Sequence, residues 1–234
     1  MTLTKKIARR LADIFAAHGP DAFDRQSELL LGSVGRIFDV GSNAGESIDR
    51  YLKTFPKAEI HAFEPLPESF RVLEQKYRGE KNIFLNNVAL SDAPSEKKTM
   101  FLTAAKDSSS LHEVRPDASE HWQNSALDAA GSVDVRVETL DNYCRSKNID
   151  GMDILKIDVQ GHEMGVLKGA HGLFGDKKIK LVFVEVLFIS TYIEQSTASE
   201  VMDFFNHNGF YLADFFAMKN KTRVLQSDFI FMRG

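Results

Sequence analysis

Short apolar runs recur along the chain, separated by stretches whose apolar residues return every three or four positions. Ile37, Phe38 and Val40 make the first run, the signature of a buried central strand. Further runs cover 58–65, 82–92, 153–161 and 180–188. Between them lie helical patterns. Ile7, Leu11, Ile14 and Phe15 define one, stopped by His18-Gly19-Pro20, and a second spans 21–31. A helix over 44–54 follows, with Ile48, Tyr51, Leu52 and Phe55 on its apolar side and Pro56 closing it. Pro67 opens another at its first turn, with Phe70, Leu73 and Tyr77 on one face. Thr197 and Glu200 form a capping box ahead of Met202 and Phe205, and Gly209 stops that helix. The stretches 210–216 and 228–232 read as a closing β-hairpin. Strands alternating with helices predict an α/β fold.

One region breaks the alternation. Residues 93–152 are too many for a plain helical crossover. The β-rich stretches 99–103 and 133–137 predict an added strand pair. Between them come Lys106-Asp107-Ser108-Ser109-Ser110-Leu111-His112 and Glu120-His121-Trp122-Gln123. A serine-rich loop is ordinarily solvated, but two histidines and the only tryptophan suit a lid that faces a substrate.

The strand ends carry the chemistry. After Val40 the chain runs Gly41-Ser42-Asn43-Ala44-Gly45, so a strand, a glycine turn and a helix opening follow one another. Such a turn admits a ligand close to the backbone and offers it free N–H groups. A dinucleotide fingerprint would hold three glycines in G-x-G-x-x-G. Here the spacing is G-x-x-x-G, and Asp39 stands two residues before it. An acid there repels a pyrophosphate and favours a cationic cofactor such as S-adenosylmethionine over NAD. Glu64 ends the second strand, where an acid about 20 residues beyond the glycines can bind both ribose hydroxyls. Asn87, Ala89 and Ser91, at the third strand's exit, are small or polar enough to flank an adenine ring.

Two later strands carry acids within apolar surroundings. Asp158 follows Ile154-Leu155-Lys156-Ile157, and Glu185 interrupts Leu181-Val182-Phe183-Val184. A charge there is costly unless it is paired or at the open edge of the sheet, where ligands bind. His162 reads more readily as a capping residue than as a catalytic one, although it faces that edge. Glu163 reads as a favourable charge at a helix start.

Composition narrows the field. The 234 residues suit one α/β domain with a modest extension. We divide them into an N-terminal helical extension, 1–33, and a catalytic domain, 34–234. A net charge of −4 gives no sign of a nucleic-acid surface. The single Cys144 excludes an intramolecular disulfide and fits a reducing cytoplasm. No apolar run approaches the ~20 residues that cross a bilayer, and no apolar segment follows the basic N-terminus to make a secretory signal.

Several motifs in order resemble the FkbM-type S-adenosylmethionine-dependent methyltransferases: FDVGSNAGES, AFEP, NVALSD, SSL at Ser109–Leu111, DILKIDVQGHEMGVLKGA and FVEV. The resemblance runs from about Gly35 to Met232. It implies a Rossmann-like methyltransferase fold, a mostly parallel seven-stranded sheet with a C-terminal antiparallel hairpin. It implies S-adenosylmethionine as cofactor, with Gly41, Asn43 and Gly45, and Ser42 and Ser47 of the same motif, at its methionine end. Asp39 is then expected near the cofactor's amino group and Glu64, followed by Pro65, at the ribose. Asn87 and Ala89 would meet the adenine, and Ser109 and Ser110 would lie near cofactor or substrate.

The family is associated with O-methylation of sugars and natural products. A neutral hydroxyl is a poor nucleophile, so a general base is expected. Asp158 and Glu185 lead, with His162 third. Mg²⁺ would suit such carboxylates, but no dedicated metal motif is present, and no metal is assigned. The expected partner is a small-molecule hydroxyl acceptor, with neither nucleic acid nor membrane; homo-oligomerisation stays open. Two alternatives are an NAD-linked oxidoreductase on the same fold and a cofactor-binding protein without chemistry.

Overall fold

The computed structural model describes residues 21–31, 34–122, 125–219 and 223–234. The helix expected around Ile7–Phe15 lies outside them. Ten strands and seven α-helices follow in the described chain. The main sheet holds seven strands in the order β3-β2-β1-β7-β8-β10-β9. Its members are β1 (Arg36–Val40), β2 (Glu59–Phe63), β3 (Ile83–Asn86), β7 (Met152–Ile157), β8 (Ile179–Leu187), β9 (Phe210–Lys219) and β10 (Val224–Arg233). The first five named are parallel, while β10 enters antiparallel to β8 and pairs antiparallel with β9. The expected architecture is therefore present.

Alternation along the central strands splits the core into two layers. Phe38, Leu155, Val182, Val184 and Phe231 face one layer, covered by α4 (Leu140–Lys147), α5 (Glu163–Lys168), α6 (His171–Gly175) and α7 (Ala198–His207). Ile37, Ile154, Leu181, Phe183 and Ile230 face the other, under α1 (Ala22–Leu30), α2 (Glu46–Thr54) and α3 (Pro67–Lys76). Both faces of the sheet are thus buried, which is why these strands read as continuous apolar runs.

Local signals set the helix ends. Asp21 caps α1 by accepting from Phe23 and Asp24 N–H. Pro67 is the first residue of α3. The Thr197–Glu200 capping box is complete at α7. Among the described residues no helix is long and apolar enough to cross a membrane.

The insert holds its own sheet. β5 (Ser95–Thr103) pairs antiparallel with β6 (Ala129–Glu138), and β4 (Ala89–Leu90) adds to β6 in parallel. Both expected insert strands are present and longer than their apolar cores. Their inner side, with Met100, Val135 and Val137, packs on Leu66 beside the main sheet's open edge. Fixed contacts hold the intervening loop down. Trp122 Nε1 donates to Thr191 Oγ1 at 2.8 Å, and Tyr192 OH donates to the Ser108 carbonyl at 2.7 Å. This loop is tied to the segment after β8.

Candidate active site

A cavity of about 690 Å³ opens at the C-terminal edge of the parallel strands, the place where open α/β sheets bind ligands. Four regions meet in it: the start of α1, the β1–α2 and β2–α3 turns with the exit of β3, the insert, and the ends of β7, β8 and β10.

The first wall is built by backbone. Gly41 has φ +83°, and a Cβ there would lie 1.8 Å from the Asp158 carbonyl oxygen. Only glycine lets β1 end this close to the exit of β7. Asn43 also sits in the left-handed region, which Asn tolerates better than most residues. Its N–H donates to Glu64 Oε2 at 2.8 Å, and Leu66 N–H donates to Glu64 Oε1 at 2.8 Å. The Glu64 carboxylate is thereby fixed in direction while keeping a lone pair on each oxygen. Burial pushes its pKa up to about 7, against the pull of these two donors. Gly41, Ser42, Asn43, Ser47, Glu64, Pro65, Ala89 and Ser109 all line the cavity.

Four expected contacts sit behind that surface. Asp39 is fully buried and is not on the lining. Ser47 Oγ donates to its Oδ2 at 2.6 Å, and Lys156 Nζ lies 3.2 Å from its Oδ1. That ion pair is poorly aligned as a hydrogen bond, so Oδ1 is a buried oxygen without a hydrogen-bond donor. Ser47 and Lys156 do line the cavity, so Asp39 acts on it through them. Gly45 is packed under Tyr77, whose hydroxyl donates to the Gly45 carbonyl at 2.6 Å. Asn87 Nδ2 bonds the Glu64 and Pro65 carbonyls, and Ser110 Oγ donates to the Gln160 carbonyl at 2.7 Å. These last three shape the wall from behind.

The second wall is built by side chains from separate strands. Asp39, Lys156 and Phe183 are register partners across β1, β7 and β8. Two residues further along, on the same face, come Asp158 and Glu185, and Asp228 of β10 pairs in register with Glu185. All three carboxylates and Lys156 line the cavity. Burial opposes the charge of Lys156, but Asp39 and Asp158 outweigh it and hold the ammonium's pKa above its usual value. Lys156 Nζ lies 3.5 Å from Asp158 Oδ2, and Gln160 Nε2 donates to Asp158 Oδ1 at 2.8 Å. Glu185 accepts from Gln160 Nε2 at 2.7 Å and from Gln226 Nε2 at 2.6 Å, one on each oxygen. Burial, followed by the charges of Asp158 and Asp228, raises Glu185 well above the usual carboxyl range.

His162 also lines the cavity, but its ring is committed elsewhere. Ser91 Oγ donates to Asp92 Oδ1 at 2.9 Å, so only its lone pairs remain for His162 Nε2 at 2.8 Å. That assignment puts the His162 proton on Nε2, and Nδ1 then accepts from His112 Nε2 at 2.9 Å. Burial, then His112 and Lys98, pull the His162 pKa down to about 3. With both nitrogens engaged, His162 has no lone pair for a substrate proton.

In the insert, Lys106, Asp107, Ser109 and Leu111 reach the cavity, whereas His112, His121 and Trp122 do not. Lys156 and Asp228 were missed as site residues: Lys156 interrupts an apolar strand, the signal that identified Glu185, whereas Asp228 only heads the run Phe229-Ile230-Phe231-Met232. Among the described residues no group of three or more His, Cys, Asp and Glu is arranged to hold a metal ion.

Comparison with known proteins agrees with this fold. The family model described as Methyltransferase FkbM domain matches residues 39–212. The chain is 25% identical over 173 residues to the 2-O-methyltransferase NoeI of Sinorhizobium fredii, a match covering 71% of this chain and 69% of that one. It is 26% identical over 151 residues to the hexuronic acid methyltransferase AglP of Haloferax volcanii, covering 64% of this chain and 55% of that one. Among solved structures, Aeropyrum pernix fibrillarin with natively bound S-adenosyl-L-methionine superposes with a TM-score of 0.50 at 14% identity. That match covers 86% of this chain and 67% of the fibrillarin, and it is a likeness of fold.

Proposed function

The chain belongs to the FkbM methyltransferase family and is an S-adenosylmethionine-dependent methyltransferase; on that premise we propose that its acceptor is a hydroxyl of a small polyhydroxylated molecule, a sugar or a natural product. One observation carries the reading. A single cavity is lined both by the Gly41–Asn43 turn with Glu64 and by the carboxylates of β7, β8 and β10.

The residues fit the cofactor. The volume suits a ligand of its size. Glu64 presents fixed lone pairs that would accept from two ribose hydroxyls. Gly41, Ser42 and Asn43 would take the methionine end, backed by Asp39 through Ser47 and Lys156. When bound, S-adenosylmethionine supplies an electrophilic methyl group on a sulfonium. The chain's own task is to hold an acceptor oxygen in line with that group and to remove its proton. Asp158, tied by Gln160 and Lys156, is suited to orient the hydroxyl. Glu185, with an amide N–H donor on each oxygen, supports that network.

One relative's name specifies 2-O-methylation and another's a hexuronic acid, which together favour a carbohydrate hydroxyl, and the acidic wall suits a neutral acceptor that needs a base. A net charge of −4 speaks for a small acceptor over nucleic acid. The buried Cys144 accords with the cytoplasmic setting that we propose.

The test uses S-adenosylmethionine labelled in its methyl group and a panel of methyl glycosides and polyols, read by mass spectrometry. The expected product carries one labelled methyl on oxygen. Tight calorimetric binding of NAD with no binding of S-adenosylmethionine would contradict the reading. So would cofactor binding followed by labelling of nitrogen or carbon alone in a mixed panel.

A further inference from the structure

We propose that Asp228, on the antiparallel strand β10, is the general base that takes the acceptor's hydroxyl proton. The proposal rests on the hydroxyl-acceptor reading above and deepens it. At the end of the cavity built by β7, β8 and β10, away from the cofactor wall (Glu46, Asp49, Glu64) and the insert (Asp107), four side chains have the chemistry of a base: Asp158, His162, Glu185 and Asp228. The donors that each already accepts tell them apart, because every accepted hydrogen bond stabilises the charged form and fixes its direction. His162 has both nitrogens bonded. Glu185 accepts an amide N–H on each oxygen. Asp158 accepts from Gln160 and faces the Lys156 ammonium. Among the described residues no hydrogen-bond donor reaches the Asp228 carboxylate.

Its position suits the role. Asp228 stands opposite Glu185 in the β8–β10 register, at the end of the acidic row farthest from Glu64 and β2. It also lines a second hollow of about 420 Å³ with Phe216, Met218 and Gln226. Phe229 and Phe231, next along the strand, anchor it in the core. Burial, and then the charge of Asp158, push Asp228 up to about 6, while Lys156 draws it down. A base with that value is largely unprotonated at neutral pH and still holds a proton well.

The step balances simply. The acceptor's O–H bond breaks, and its proton forms an O–H bond on Asp228. The oxygen's electron pair makes the new bond to the methyl carbon, and the carbon–sulfur pair leaves with sulfur as a neutral thioether. The proton then leaves Asp228 for water through the open side of the cavity.

The test compares the wild type with Asp228→Asn and Asp228→Ala on a methyl glycoside that the wild type methylates. Turnover should fall about 100-fold or more in both variants, with cofactor affinity changed by less than about twofold. The rising limb of the turnover–pH profile, centred near 6 in the wild type, should vanish. Added formate should restore part of the rate to Asp228→Ala and none to Asp158→Ala. Retained turnover in Asp228→Asn, or an unchanged limb, overturns the proposal. Loss of cofactor binding in Asp228→Asn together with no formate rescue of Asp228→Ala overturns it in favour of a structural role. A wild type that binds S-adenosylmethionine but methylates no hydroxyl refutes the functional reading itself and this base with it. That failure differs visibly from an active wild type with an active variant.

Discussion

The two walls of the cavity are made in different ways. On the β1–β2 side, three backbone features within one stretch of chain do the work: a glycine that nothing larger could replace, a left-handed asparagine, and N–H groups that aim Glu64. On the β7–β8–β10 side, carboxylates from distant parts of the chain meet across neighbouring strands and share two glutamines and one lysine. The first wall is rigid and local, suited to a cofactor that never changes. The second is a side-chain network that can be altered one residue at a time, as an acceptor site requires. Binding and turnover should therefore separate under mutation.

The largest effect is expected at the seam. Gly41→Ala drives a Cβ against the Asp158 carbonyl and strains a positive φ. Stability should fall by about 5 kcal/mol or the fold should be lost, read as the denaturant midpoint, with cofactor binding abolished. Next comes Lys156→Met, which strips the cation from the fully buried Asp39. A loss of about 3 kcal/mol is expected at pH 7, as for one broken partner of a buried pair. Adding Asp39→Asn should recover part of it, and a strictly additive double mutant would show that the pair is not coupled.

A third prediction concerns Glu64 and pH. Its folded pKa of about 7 lies above the ordinary carboxyl value of 4.5, so its stabilising contribution is complete below that value and is lost as pH rises through 7. Glu163, also at about 7, and Asp228, at about 6, act in the same direction. Glu64 alone should therefore cost the cofactor-free protein roughly 2–3 kcal/mol between pH 5 and pH 8, Glu163 and Asp228 add to that loss, and Glu64→Gln should remove its share of the slope. Binding of ribose hydroxyls favours the charged carboxylate, so cofactor binding near pH 7 should release protons, detectable by calorimetry in buffers of different ionisation enthalpy. Glu64→Gln should abolish the release and weaken cofactor affinity about 30-fold.

The smallest effect tests the insert. Trp122→Phe removes one hydrogen bond to Thr191 and should cost about 1 kcal/mol while leaving cofactor affinity unchanged.

The local wall was legible in the sequence because its parts lie together. Asp39, Gly41, Asn43 and Glu64 fall within one strand–turn–helix–strand unit whose geometry is general. Even there, the sequence placed Asp39 against the ligand, while folding buries it behind Ser47 and Lys156. A strand's face follows from alternation, but what covers that face depends on the next strand's side chains. The dispersed wall was half legible. Asp158 and Glu185 stood out as acids at the ends of parallel strands. Asp228 did not, because the rule that ligands meet strand ends concerns parallel strands, and β10 crosses the same edge near its beginning. His162 was legible as a residue facing the site. Its commitment to Ser91 and His112 depends on contacts 71 and 50 residues away.

The division between the walls is tested most directly by steady-state kinetics of Glu64→Gln and Asp228→Asn, measured side by side with one methyl glycoside acceptor. We predict a raised cofactor KM with nearly unchanged kcat for Glu64→Gln, and a collapsed kcat with nearly unchanged cofactor KM for Asp228→Asn. The reverse pattern, or equal losses of both quantities in both variants, would contradict the account.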